Sequence, residues 1–149
     1  MIKNRVSILG LLTVAAALVA VPLAGGSVTP IGGVYSAPPP CKGKAADGQA
    51  LQGNSENDTI GGTSRIDVLR GGGGNDKING KGQDDCLAGQ AGDDTLKGGS
   101  GDDLLKGGSG DDTLIGGAGA DVLNCGAGHH DVAIAGNSDT VFGSCEIVH

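Results

Sequence analysis

The sequence predicts an all-β solenoid of about five 18-residue coils, and three observations predict it. A phrase of nine residues repeats ten times in phase from Gly53 to Phe142. Its eighth position holds a branched aliphatic in all ten units, and glycine opens every unit from Gly62 to Gly116. A fixed short period marks a stacked architecture, because one unit cannot bury its apolar residue alone and its neighbours complete the core.

The elements follow in chain order. Lys3 and Arg5 precede an uncharged run from Val6 to Ala24 that ends in Ala24-Gly25-Gly26. Basic, then apolar, then small is the order of a secretory signal peptide, so residues 1–26 are assigned to one, with cleavage between Ala24 and Ser27. About 19 apolar residues would also span a bilayer, and a single membrane anchor is the alternative. The Ala-rich run, Pro22 and the lack of a basic stop or aromatic belt disfavour it. A lipid-modified Cys41 is disfavoured too, since Ala37-Pro38-Pro39-Pro40 offers no small-residue cleavage box.

Residues 27–52 hold Pro30, Pro38, Pro39 and Pro40 with no hydrophobic pattern, and read as a linker and N-terminal cap. Residues 53–142 form the repeat, and residues 143–149 a C-terminal cap. Without residues 1–26 the chain keeps 8 basic against 17 acidic residues, a net charge of about −9. Such a chain repels nucleic acid and anionic membrane and attracts cations.

Each part of the phrase has a physical sense. Glycines at alternate places allow a tight turn that exposes its carbonyls. The tail, an aliphatic between two other residues, is a brief strand whose middle side chain faces one way and whose neighbours face the other. Nine residues make a turn and a strand, and eighteen make a full flattened coil. A Gly-rich, acidic, aromatic-poor chain is ordinarily disordered; an aliphatic kept in register ten times argues against that. Ten aliphatics are still a small core for some ninety ordered residues, so a further stabilising agent is expected.

The sixth position identifies it. Units two apart lie one above the other, so the sixth positions form two ladders: Asp58, Asp76, Asp94, Asp112 and His130, and Asp67, Asp85, Asp103, Asp121 and Asp139. Carboxylates stacked at one coil's spacing repel unless a cation lies between them. With turn carbonyls around each gap the donors are all oxygen and six or more in number, which suits calcium better than magnesium or zinc.

The units at 71–79 and 98–124 carry the whole phrase Gly-Gly-x-Gly-x-Asp-x-aliphatic-x, and on these residues the chain resembles the RTX, or haemolysin-type, calcium-binding nonapeptide repeat. The resemblance covers residues 53 to about 142. It implies a right-handed parallel β-roll that binds several calcium ions through Asp58, Asp67, Asp76, Asp85, Asp94, Asp103, Asp112, Asp121 and Asp139 together with turn carbonyls. Glu56 and Arg65 replace a turn glycine near Asp58 and Asp67, and His130 replaces an aspartate above Asp112, so those places depart from the pattern. The fifth-position acids Asp84, Asp93, Asp102 and Asp111 are expected to point to solvent.

Cys41, Cys86, Cys125 and Cys145 follow the signal, and an even count in an exported chain favours disulfides. Cys125 opens the ninth unit and Cys145 falls at the third position after the tenth, one coil above, which predicts a Cys125–Cys145 disulfide. Cys41 and Cys86 remain to tie the N-terminal segment to the roll. His129 and His130 are expected to be solvated, and His149 mobile at the chain end.

No nucleophile motif, HExxH or phosphate loop is present, and the paired acids recur in every unit where an active site would not. An enzyme is not expected. The leading reading is a secreted calcium-binding module whose folding is coupled to extracellular calcium. The alternative is an adhesive or surface-binding solenoid with an unknown extracellular ligand, in which calcium is only structural. Such a face needs a regular outward row, and the seventh positions, Thr59, Val68, Lys77, Cys86, Thr95, Leu104, Thr113 and Val122, read as irregular.

Overall fold

A computed structural model describes residues 29–30 and 48–149. The expected signal peptide, most of the linker and Cys41 lie outside the described residues. The strands are β1 (Thr29–Pro30), β2 (Ala50–Gln52), β3 (Thr59–Gly61), β4 (Val68–Gly73), β5 (Lys77–Gly82), β6 (Cys86–Ala91) and β7 (Thr95–Ser100). They continue as β8 (Leu104–Ser109), β9 (Thr113–Ala118), β10 (Val122–Ala127), β11 (Val132–Ile134), β12 (Thr140–Phe142) and β13 (Glu146–Val148).

From β2 onward, consecutive strands fall on opposite sheets. One sheet has the order β1-β2-β4-β6-β8-β10-β12 and the other β13-β11-β9-β7-β5-β3. Every pairing is parallel except β1 against β2, as a coil that always winds the same way requires. The fold is a parallel β-solenoid of six coils, one more than the phrase counts. The difference is two half-coils at opposite ends, β2 before β3 and β13 after β12, both in the segments expected to be caps. Neither carries the phrase, but each needs only a repeat strand to pair with and an apolar residue in register with the core, here Leu51 against Leu69 and Ile147 against Ala133.

The core is a double column between the sheets. Leu69, Leu87, Leu105 and Leu123 stack in register on one side, and Ile60, Ile78, Leu96 and Leu114 on the other. All eight are buried. Their place at the eighth position follows from the two-residue alternation of a strand, which sends positions seven and nine outward.

Two expectations are corrected in the fold. The ninth unit is one residue longer than the phrase: Ala133, not Val132, pairs with Leu114 and is buried. The next is one residue shorter, so Val141 regains its register with Leu123. The seventh-position row is also more regular than it reads along the chain. Alternation sorts it into an apolar column, Val68, Cys86, Leu104 and Val122, and a polar one, Thr59, Lys77, Thr95 and Thr113.

Candidate metal centre

The sixth-position aspartates stand where each turn enters its strand, and they are buried. Asp58, Asp67, Asp76, Asp85, Asp94, Asp103, Asp112 and Asp121 are each no more than 2% exposed. A buried carboxylate must find donors or a cation, since desolvating it unpaired is costly. One oxygen of each finds a donor, one coil away in all but Asp58, whose Oδ2 accepts the Asn54 N–H of its own turn at 2.9 Å. Oδ1 of Asp76, Asp85, Asp94, Asp103, Asp112 and Asp121 accepts the main-chain N–H of the aspartate eighteen residues earlier, at 2.7–2.9 Å.

The second oxygen does not. Oδ2 of Asp76, Asp85, Asp94, Asp103, Asp112 and Asp121, and Oδ1 of Asp58, are buried without a hydrogen-bond partner. From Asp76 to Asp121 the free oxygen faces the glycine that opens its unit, whereas at Asp58 it is the hydrogen-bonded Oδ2 that faces Gly53. A Cβ placed on Gly98 would lie 2.7 Å from the carbonyl oxygen of Gly116 and closer still to Oδ2 of Asp103. Glycine at that position leaves a small cradle lined by a carboxylate oxygen and a carbonyl oxygen of the next coil on the same side.

The electrostatics match. Burial pushes the Asp85 carboxyl up to about 7, against the lowering effect of the N–H from Asp67, with Asp103, Asp67 and Asp84 adding repulsion. Asp94 and Asp112 are pushed up to about 6, again chiefly by burial. Asp76 and Asp121 are raised for the same reason. Burial thus disfavours the ionised form of these carboxylates in the absence of a cation.

Two of the nine expected ligands differ from the rest. Asp67 has no orphaned oxygen: Oδ2 accepts the Thr63 N–H at 2.6 Å and the Thr63 hydroxyl at 3.0 Å, and Oδ1 accepts from Gln49. Its turn, Thr63-Ser64-Arg65, supplies side-chain and main-chain donors where other units have glycine. Asp139 accepts the Asp121 N–H at 3.0 Å and the Gly136 N–H at 2.7 Å, one on each oxygen.

The ladder place assigned to His130 belongs to Asp131. Its Oδ1 accepts the Asp112 N–H at 2.9 Å and its Oδ2 is buried and unpartnered. His130 lies outside with its Nδ1 3.2 Å from Asp111. The sign of this in the sequence is Cys125, a side chain where the phrase has glycine.

The fifth-position acids do more than face solvent. They form an outer ladder in which Asp84, Asp93 and Asp102 accept the main-chain N–H of Asp102, Asp111 and Ala120 at 2.8–2.9 Å. Asp111 accepts from His129, which, with help from His130, holds its carboxyl below the usual range. Cys125 and Cys145 are joined in a disulfide with Cα atoms 5.8 Å apart. Cys145 sits in register with Asp131, because the last coil is short and Glu146 pairs with Val132; it is not at a third position. Cys86 is disulfide-bonded as well. His149 is placed with its Nδ1 3.2 Å from the Ala135 carbonyl oxygen.

Among the described residues no three His, Cys, Asp or Glu side chains converge on one point. A cation here takes one or two carboxylate oxygens and completes its shell from main-chain carbonyls. That donor set is hard and all oxygen, the chemistry of calcium and not of zinc. The free carboxylate oxygens and the cradles fit the ion.

Fold and site together define a calcium-binding repeat solenoid, a parallel β-roll. A family model described as RTX calcium-binding nonapeptide repeat (4 copies) matches residues 52–87, 61–96 and 97–129. The chain belongs to that family, whose repeat is a structural calcium-binding unit. Searches of curated proteins and of solved structures gave no significant match.

Proposed function

We propose that the chain is a secreted calcium-binding module that folds when it meets extracellular calcium. One observation carries the reading: a buried, unpartnered carboxylate oxygen recurs in successive coils from Asp58 to Asp121. Calcium held by these oxygens and the unit-opening carbonyls supplies the positive charge that lets the carboxylates stay ionised inside the roll. The aspartates, for their part, tie each turn to the next through the N–H they accept.

Folding then follows the ion by mass action, because the gathered sites exist only in the coiled chain. Sites of roughly 0.1–1 mM affinity would be empty at intracellular calcium and filled at the millimolar level outside cells. The basic, apolar and small order of residues 1–26 and the disulfide between Cys125 and Cys145 support export. The role is non-enzymatic: among the described residues the same site recurs coil after coil, and no one residue set is singled out for chemistry.

The test is far-UV circular dichroism of residues 27–149 titrated with calcium and, in parallel, magnesium. A coil-to-β transition with calcium alone is expected. A chain fully β-structured in chelator and unmoved by calcium would remove the coupling.

A second reading, a surface-binding solenoid, has one observation in its favour: the seventh-position column is apolar in register, with Leu104 and Val122 half-exposed beyond the buried Val68 and the disulfide-bonded Cys86. Binding of the calcium-loaded roll to a glycan or surface array, lost on Leu104→Lys with calcium uptake intact, would support it.

A further inference from the structure

Asp131 follows Cys125 by six residues, whereas every earlier ladder aspartate follows the residue that opens its unit by five. The reason is steric. A Cβ at Gly107 would fall 2.5 Å from the carbonyl oxygen of Cys125 and closer still to Oδ2 of Asp112, five residues on. Gly80 and Gly98 are hemmed in the same way by Asp85 and Asp103. A unit that opens with a side chain therefore has no room for a carboxylate five residues later. Cys125 opens the ninth unit with a buried, disulfide-bonded side chain, and the added residue carries its aspartate clear.

What the other coils offer is nonetheless preserved. Asp131 is 1% exposed, its Oδ1 accepts the Asp112 N–H, and its Oδ2 is left without a partner. The Cys125 carbonyl stands beside Asp112 Oδ2 as the Gly116 carbonyl stands beside Asp103 Oδ2. The next place in this ladder is Cys145, whose bond to Cys125 holds the main chain that carries this carbonyl.

We propose that Asp131, Asp112 and the Cys125 carbonyl form a terminal calcium site, lying at the edge of the family match, which ends at residue 129. The site rests on the reading of the ladders as calcium sites. Asp131 serves as the ligand that the phrase would have placed at His130, and the disulfide closes the ladder where a further carboxylate would otherwise stand.

Calcium bound per chain, measured by equilibrium dialysis at saturating calcium, tests it on the purified protein and on Asp131→Asn, His130→Ala and Asp94→Asn. Asp131→Asn is expected to bind one ion fewer, His130→Ala the wild-type number, and Asp94→Asn at least one fewer. An unchanged count in Asp131→Asn beside a loss in Asp94→Asn overturns the terminal site and leaves the ladders standing. An unchanged count in both overturns the calcium reading itself. Should Asp131→Asn not fold, the side-chain carboxyl carbon resonance of Asp131 is followed in the wild type. It is expected to move with calcium in step with that of Asp112, and a resonance that stays still overturns the proposal.

Discussion

Asp94 reaches one coil back to accept the main-chain N–H of Asp76 at 2.8 Å, while its other oxygen, equally buried, meets no donor. One carboxylate thus both stitches the stack and leaves it incomplete. Each pairing locks two turns together and adds a charge that the protein alone does not neutralise.

The first prediction concerns pH. Asp85 is pushed up to about 7 and Asp94 and Asp112 to about 6, from 3.8. Without calcium the folded roll binds protons more tightly than the unfolded chain between those values, so these groups favour folding fully below about pH 4. That contribution is lost as pH rises through 6 to 7. The calcium-free protein is therefore expected to melt higher at pH 5 than at pH 8. Calcium competes with the same protons, so its apparent affinity falls as pH drops below 7. Thermal melts and calcium titrations at the two pH values check both.

The second concerns the cradle. Gly98→Ala places a Cβ against Asp103 and the Gly116 carbonyl oxygen, 2.7 Å away, and should cost about 1–3 kcal/mol together with calcium affinity. Gly73→Ala has nothing nearer than 3.5 Å and should stay within about 0.5 kcal/mol of wild type. Denaturation midpoints in saturating calcium separate the two; equal losses would mean that the crowding at Gly98 is relieved by a shift of the coil.

The third concerns backbone strain. Gln90 takes a φ of 88° at a position where Gly99 and Gly108 take positive φ in later units. A side chain in that conformation costs about 1–2 kcal/mol, part of which glycine returns through the entropy of the unfolded chain. Gln90→Gly is expected to stabilise the roll by up to about 1 kcal/mol, read as a higher denaturation midpoint.

The fourth concerns the core column. Leu96 is fully buried between coils, and Leu96→Ala should cost about 2–5 kcal/mol. Ile147 is in register with the core column at the open end and is 48% exposed. Ile147→Ala should cost less than about 1 kcal/mol. Denaturant titration of both variants at fixed calcium measures the gradient from middle to end.

Much of this was legible in the sequence, because a period of nine with an aliphatic at position eight admits one stacking. Ile60 to Leu123 all lie where that phase puts them. The ninth unit was not legible by the same rule. Stepping by nine lands on Val132, an acceptable aliphatic, and the compensating short unit restores the phase at Asp139, so nothing in the periodicity signals the slip. Only the steric demand at the opening position, unmet by Cys125, distinguishes His130 from Asp131. The end strands were hidden for another reason: Ala50–Gln52 and Glu146–Val148 need a neighbour but not the turn, and the turn is what the phrase encodes. The donors around Asp67 come from Thr63 and Gln49, residues with no fixed place in the repeat.

The alternation of strands gives the molecule a parity. Adding or removing eighteen residues lengthens or shortens it by one lap and leaves the apolar column of Val68 and Leu104 and the polar column of Thr95 and Thr113 as they are. Adding or removing nine exchanges the two faces for everything downstream, setting Leu104 in line with Thr95 while the core column is undisturbed. Such a chain can change its length in whole laps without altering its exterior, and in half laps can remake its exterior without altering its interior.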